Sequence, residues 1–308
     1  MQGVVYKSTG SWYTVVDSEG RAWNARMKGI FKMEGLTSTN PIAVGDVVEM
    51  AMENEGEGSV MITKIHDRRN YINRQSPRIK SQQHIVAANI DQSVLIATLK
   101  DPRTSQGFID RFLVACEMYH VPAIVVFNKS DLYRPKEQAL FEEMEEMYVR
   151  IGYEVALLSV KEGKGVEDIK RKLKDKTTLV SGHSGVGKSS FINSMVPDLK
   201  IRTKDISGWS GKGQHTTTFA EMHRLPFGGR LIDTPGMKEF GLVGVEKAEL
   251  SGYFPEMRQR LNDCQFNNCL HVNEPDCAIK EAVRNGEIHE DRYVSYYGIL
   301  ESLGEKNY

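Results

Sequence analysis

The sequence predicts three consecutive parts: an all-β segment, an α/β domain whose strands are covered on both faces, and a short, mostly helical segment. Three observations carry this. Short alternating apolar segments fill residues 1 to about 70; from about residue 84, apolar strand-like runs alternate with helical periodicity; beyond residue 260, cysteines cluster with a histidine. At 308 residues the chain exceeds the size of one core. A net charge of −1, with 26% charged and 40% hydrophobic residues, excludes a disordered or globally basic chain, so any nucleic-acid contact must be local. No apolar run approaches a membrane span, and the N-terminus lacks a signal-peptide core. No membrane partner and a cytoplasmic location are therefore expected. The expected boundaries are 1–70, 71–243 and 244–308.

In the first part the strand segments are 3–6, 12–16, 22–27, 46–52 and 59–65, divided by Ser18-Glu19-Gly20, Asn40-Pro41 and Glu55-Gly56-Glu57-Gly58. Five strands in this length predict a small barrel of the OB type, a fold that often binds single-stranded nucleic acid or folded RNA. Tyr6, Trp12, Tyr13, Trp23 and Phe31 offer stacking surfaces, at least half of them expected to fill the barrel instead. Arg68, Arg69, Arg74, Arg78 and Lys80 then crowd a stretch without an acid. That stretch reads as a basic linker suited to a phosphate backbone or, equally, as a solvated connector.

The central part alternates strands 93–98, 123–127 and 155–159 with helices 108–119, 136–151 and 166–173. Gly152 closes the second helix, and its acidic stripe (Glu142, Glu143, Glu145, Glu146) is expected to face water. A strand-like run at 177–181 leads into Gly182-His183-Ser184-Gly185-Val186-Gly187-Lys188-Ser189-Ser190, and Phe191, Ile192 and Met195 follow at helical spacing. A strand, then GxxxxGK[ST], then a helix is the context of a phosphate loop. Its backbone N–H groups curl around a phosphate, the helix N-terminus adds its dipole, Lys188 adds a mobile charge and Ser189 a hydroxyl for Mg²⁺.

Further motifs complete a guanine-nucleotide site. Asn128-Lys129-Ser130-Asp131 places a carboxylate that can accept from both guanine N1–H and the 2-amino group. Adenine would leave it unpaired, at a cost on the order of a few kcal/mol. Ser159-Val160-Lys161 can meet the guanine carbonyl through backbone N–H. Asp233-Thr234-Pro235-Gly236 can hold Mg²⁺ through Asp233 and sense a γ-phosphate at Gly236. One threonine of Gly213-Gln214-His215-Thr216-Thr217-Thr218 can complete the metal shell; Thr217 is favoured, then Thr216. Lys188, Thr217 and His215 are the catalytic candidates, because Met237 stands where many GTPases carry a water-orienting Gln and His215 is the nearest alternative.

The order of these motifs is reversed relative to a Ras-like chain, since NKSD and SVK precede the phosphate loop. Rejoining the ends restores a six-strand sheet, so a circular permutation is expected. The DTPG segment then leads directly into the C-terminal part, to which its movement could be transmitted. There, Cys264, Cys269, His271 and Cys277 can close around one tetrahedral Zn²⁺, and four protein ligands make it structural. Cys116 reads as core. Helices are expected at 278–285 and 289–303, with Tyr293, Val294, Tyr297 and Leu300 as a core stripe.

These permuted G motifs, the barrel, GQHTTT, DTPG followed by a hydrophobic residue and the Cys-Cys-His-Cys knuckle closely resemble the RsgA (YjeQ/YloQ) family of bacterial small-subunit-dependent GTPases. The resemblance covers essentially the whole chain. It implies an OB, G-domain and zinc-domain architecture and GTP hydrolysis to GDP stimulated by the 30S subunit during its late maturation. It also implies 16S rRNA contacts through the flanking domains, with guanine recognition by Asn128, Lys129 and Asp131, phosphate and Mg²⁺ binding by residues 182–190 and Asp233, and zinc binding by the four knuckle residues. Gln214 departs from the Arg common in the family. A monomer is expected. A GTP-regulated switch acting away from the ribosome is the alternative, and it leaves barrel and basic stretch without a role.

Overall fold

The computed structural model describes residues 1–27, 41–52, 59–75, 83–201, 220–234, 242 and 244–303, with backbone alone at 74, 75 and 83. The first strands are β1 (Gln2–Ser8), β2 (Tyr13–Asp17), β3 (Ala22–Met27), β4 (Val47–Met52) and β5 (Ser59–Ile65). They run β1-β2-β3-β5-β4, and β4 returns to β1, closing a barrel. β3 and β5 pair in parallel. Alternation turns Val5, Val15, Ala25, Val48, Met50, Val60 and Ile62 inward. The aromatics divide: Tyr13 and Trp23 fill the barrel, Tyr6 packs at its junction with the α/β domain, and Trp12 is exposed. Phe31 lies outside the described residues.

The basic stretch departs from a plain connector. It holds β6 (Tyr71–Gln75), which pairs with β7 (Gln83–Ala88) as an antiparallel ribbon. Arg68 forks onto the buried Asp46 carboxylate at 2.7 Å through both Nε and Nη2, and Arg69 Nη2 donates to Asp91 at 2.6 Å. These two charges tie the barrel and ribbon to their neighbours. Arg78, Lys80 and the Arg74 side chain are outside the described residues.

The α/β domain comprises β8 (Gln92–Ala97), α1 (Gln106–Met118), β9 (Ala123–Phe127), α2 (Pro135–Ile151), β10 (Glu154–Leu157), α3 (Val166–Leu173), β11 (Thr177–Ser181), α4 (Lys188–Met195), β12 (Glu221–Arg224) and β13 (Arg230–Asp233). Strand order is β10-β9-β8-β11-β13-β12, parallel except for β12. Strand β11, which enters the phosphate loop, sits between β8 and β13, so strands that precede it in the chain flank those that follow. This is the circularly permuted arrangement. Because side chains alternate across a strand, Leu95, Ala97, Val125 and Phe127 face α1 and α2, while Val94, Ile96, Ile124 and Val126 face α3 and α4. Gly152 ends α2 in the left-handed conformation at φ 110°, and the acidic stripe of that helix stays at or near the surface.

Among the described residues the barrel joins this sheet by one bridge, Lys7 opposite Glu221. A second joint is tighter: the Ala88 N–H donates to the Val44 carbonyl at 2.8 Å. Gly45, at φ +93°, lies so close that an added Cβ would fall 2.0 Å from the Ala88 carbonyl oxygen.

The C-terminal part holds α5 (Pro255–Arg258), α6 (Ala278–Arg284) and α7 (Glu290–Ser302). Leu250, Phe254, Met257, Ile279, Tyr296, Ile299 and Leu300 join the same apolar cluster as Phe112, Leu113 and Met147 of α1 and α2. Within it the fully buried Arg292 bonds Asp110 at 2.6 Å and Glu256 at 2.7 Å, and lies 4.6 Å from the Phe254 ring. The expected stripe of α7 is corrected here. Val294 is 60% and Tyr297 39% exposed, whereas Arg292, Ser295, Tyr296 and Ile299 are buried beside Leu300. The buried face is centred on an arginine whose charge two distant carboxylates offset. No helix among the described residues is long and apolar enough to cross a membrane.

Candidate nucleotide and metal sites

The NKSD, SVK, phosphate-loop and Asp233 segments all lie at the carboxyl ends of β9, β10, β11 and β13, the edge at which open α/β sheets bind ligands. Asn128 is their hub. It is 2% exposed; its Nδ2 donates to the Val186 carbonyl at 2.9 Å, and its Oδ1 accepts from the Val160 N–H at 3.3 Å. Gly187 passes close by at φ +92°, where an added Cβ would meet Asn128 Nδ2 at 2.4 Å, so only glycine fits. One side chain therefore fixes the phosphate loop against the segment expected at the base.

Asp131 is held from two sides. Ser159 Oγ donates to its Oδ1 at 2.7 Å, and Lys161 Nζ stands 3.9 Å from its Oδ2. Ser130 donates its N–H to the Leu158 carbonyl, and its hydroxyl is buried with no hydrogen-bond partner among the described residues. Lys129, left-handed at φ 63°, sends its Nζ to the Asp101 carbonyl. At the other end, Lys188 opens α4 and is ion-paired with Asp233, with a further bond to the Thr234 carbonyl at 3.2 Å. Opposite charges meeting at one point could accommodate a Mg²⁺–phosphate unit, itself an ion pair, for which Lys188 offers a cation and Asp233 and Ser189 offer oxygens. Lys188 and Asp131 thus lie along one connected site. His215, Thr216, Thr217 and Gly236 fall outside the described residues.

The loop between β8 and α1 carries residues that the sequence reading missed. Thr104 contacts His183 at 2.7 Å, and Pro102 packs beside Gly185. No motif marks this loop; proximity to the phosphate loop is its only signal, and that requires the fold.

The second cluster gathers one ligand atom each from Cys264, Cys269, His271 and Cys277 within 4.8 Å of one another. His271 Nδ1 lies 3.3 Å from the Cys277 sulfur and 3.6 Å from that of Cys264. Burial lowers the His271 pKa, so the ring is held neutral. Burial also pushes the Cys269 thiol up to about 12, so a thiolate here would need a cation beside it. Glu274 accepts from the Leu270 and Val272 N–H groups, each at 2.8 Å, and Tyr293 and Tyr296 of α7 donate to the His271 and Leu270 carbonyls. Soft donors converging in a braced loop fit a structural zinc site.

Comparison with known proteins supplies the lineage. The RsgA GTPase family model matches residues 65–243, and the RsgA N-terminal domain model residues 2–60. A protein named small ribosomal subunit biogenesis GTPase RsgA, from Flavobacterium psychrophilum, is 52% identical over 99% of this chain and 94% of its own length. The crystal structure of YjeQ from Thermotoga maritima superposes with TM-score 0.81 at 36% identity, covering 99% of both chains. That of YloQ, described as a circularly permuted GTPase, gives 0.75 at 30% identity over 100% of this chain and 96% of its own. Family models matching residues 2–60 and 65–243, together with relatives and solved structures aligned over 99–100% of the chain, make it a member of the RsgA family of GTPases.

Proposed function

We propose that this GTPase binds the 30S ribosomal subunit through 16S rRNA and hydrolyses GTP to GDP in late subunit maturation, acting as a cytoplasmic monomer. The observation that carries the nucleotide half is the Asn128 hub, which joins phosphate loop and base segment into one pocket. Support for the ribosomal half is the naming of relatives such as those from Flavobacterium psychrophilum and Christiangramia forsetii as small ribosomal subunit biogenesis GTPases.

In this reading Asp131 accepts from guanine, the Lys129 stem lies on the ring, and the Val160 segment meets the carbonyl. Lys188 and the N–H groups of 182–190 take the phosphates, while Ser189, Asp233 and Thr217 hold Mg²⁺. The metal, when bound, neutralises charge that develops between the phosphoryl groups. His215 orients the attacking water in the subunit-bound protein. The knuckle holds one structural Zn²⁺, and the domains divide near residues 70 and 243.

The test is GTP turnover with and without purified 30S subunits across a salt series. Stimulation that falls as salt rises is expected of a phosphate-backbone contact. Turnover indifferent to the subunit would leave a GTP-regulated switch acting elsewhere.

A further inference from the structure

The β8–α1 loop touches both ends of the nucleotide site. Asp101 supplies the carbonyl for Lys129, Pro102 lies against the phosphate loop at Gly185, and Thr104 reaches His183. Thr104 is 2% exposed and doubly tied to Thr98: its N–H donates to the Thr98 carbonyl at 2.7 Å, and its Oγ1 accepts the Thr98 N–H at 2.9 Å. The Ser184 carbonyl beside His183 Nδ1 can only accept, so in the neutral ring Nε2 is the acceptor and the Thr104 hydroxyl, 2.7 Å away, donates to it. The ring proton then resides on Nδ1, which donates to the Ser184 carbonyl at 3.1 Å. The Phe108 ring meets the imidazole edge-on at 5.5 Å between centroids and limits its rotation. In a trans peptide the N–H points opposite to the C=O, so anchoring the Ser184 oxygen toward the ring turns the Gly185 N–H away from it.

We propose that Thr104 is a positioning residue of the nucleotide site, which sets the tautomer and orientation of His183 and through it the Ser184–Gly185 peptide of the phosphate loop. The inference rests on the nucleotide-site reading above. Neither Thr104 nor its loop belongs to a nucleotide-binding motif.

Titration of a fluorescent GDP analogue into Thr104→Val, Thr104→Ser, His183→Ala and the Thr104→Val/His183→Ala double variant tests this. One lost hydrogen bond corresponds to about tenfold weaker binding for Thr104→Val and for His183→Ala. Thr104→Ser retains the hydroxyl and is expected to bind as the original chain does. The double variant should be no weaker than the weaker single, because both changes remove one contact. In turnover assays the loss should fall on KM more than on kcat, since the loop meets ground and transition states alike. GDP affinity unchanged in Thr104→Val, while Lys188→Ala abolishes binding, would overturn the inference and spare the pocket. Unchanged binding in Lys188→Ala would overturn the pocket itself. Should Thr104→Val not fold, undiminished GDP affinity in His183→Ala overturns the proposal equally.

Discussion

The two regions flanking the α/β domain are attached in opposite ways. The barrel closes its own sheet around its own core, from Val5 to Ile62, and among the described residues meets the ribbon and the α/β domain through one strand bridge, the Val44–Ala88 joint, the Asn89–Gly45 bond and a small shared cluster. Among the described residues the C-terminal part has no separate core: Phe254, Met257, Tyr296 and Ile299 complete the cluster begun by α1 and α2, and Arg292 pins it through Asp110. An element with its own core is stable by itself, whereas one that borrows a core stands or falls with the lender.

That contrast can be broken, and the largest effect should come from truncation. A chain ending at residue 249 would expose the apolar faces of α1 and α2 and should be insoluble, whereas a chain beginning near residue 67 should stay soluble and keep a cooperative thermal transition. Equal solubility of the two would erase the distinction. Next comes Arg292→Ala, which leaves Asp110 and Glu256 buried without their counter-charge. Removing one partner of such a pair costs about 3–5 kcal/mol, and urea unfolding should show the α/β and C-terminal parts losing stability together. Metal stripped by a chelator should loosen the knuckle and, through Tyr293 and Tyr296, α7; hydrogen exchange would then rise across 264–303 and not in the barrel. Arg68→Ala removes a charge-assisted fork onto buried Asp46 and should cost about 1.5–3 kcal/mol, confined to the barrel's own transition. The smallest change is Lys7→Ala at the strand bridge. Its pair with Glu221 is 40% and 33% exposed at 3.2 Å, so less than about 1 kcal/mol is expected.

What the sequence made legible follows the same divide. Strands with apolar alternation and helices with a one-sided stripe were readable, because their partners sit at fixed local spacing. The motifs placed Asn128, Asp131, Lys188 and Asp233 at one sheet edge because each follows a strand. What escaped depends on partners far along the chain. Arg68 reads as a free basic residue until Asp46 comes beside it, and Arg292 interrupts the stripe of α7 until Asp110 offsets its charge. Tyr297 and Val294 read as inward-facing on apolar character alone, yet both are exposed. Thr104 carries no motif, and only the crossing of β8 beside β11 brings it to the phosphate loop.

The lone bridge between Lys7 and Glu221 has a consequence for self-association. β12 is the last strand of the α/β sheet, and a bare sheet margin is a template onto which another chain's strand can dock. By setting β1 against that margin at Lys7 and Glu221, the N-terminal region caps it at one position, and by closing its own five strands into a ring it adds no new open margin in its place.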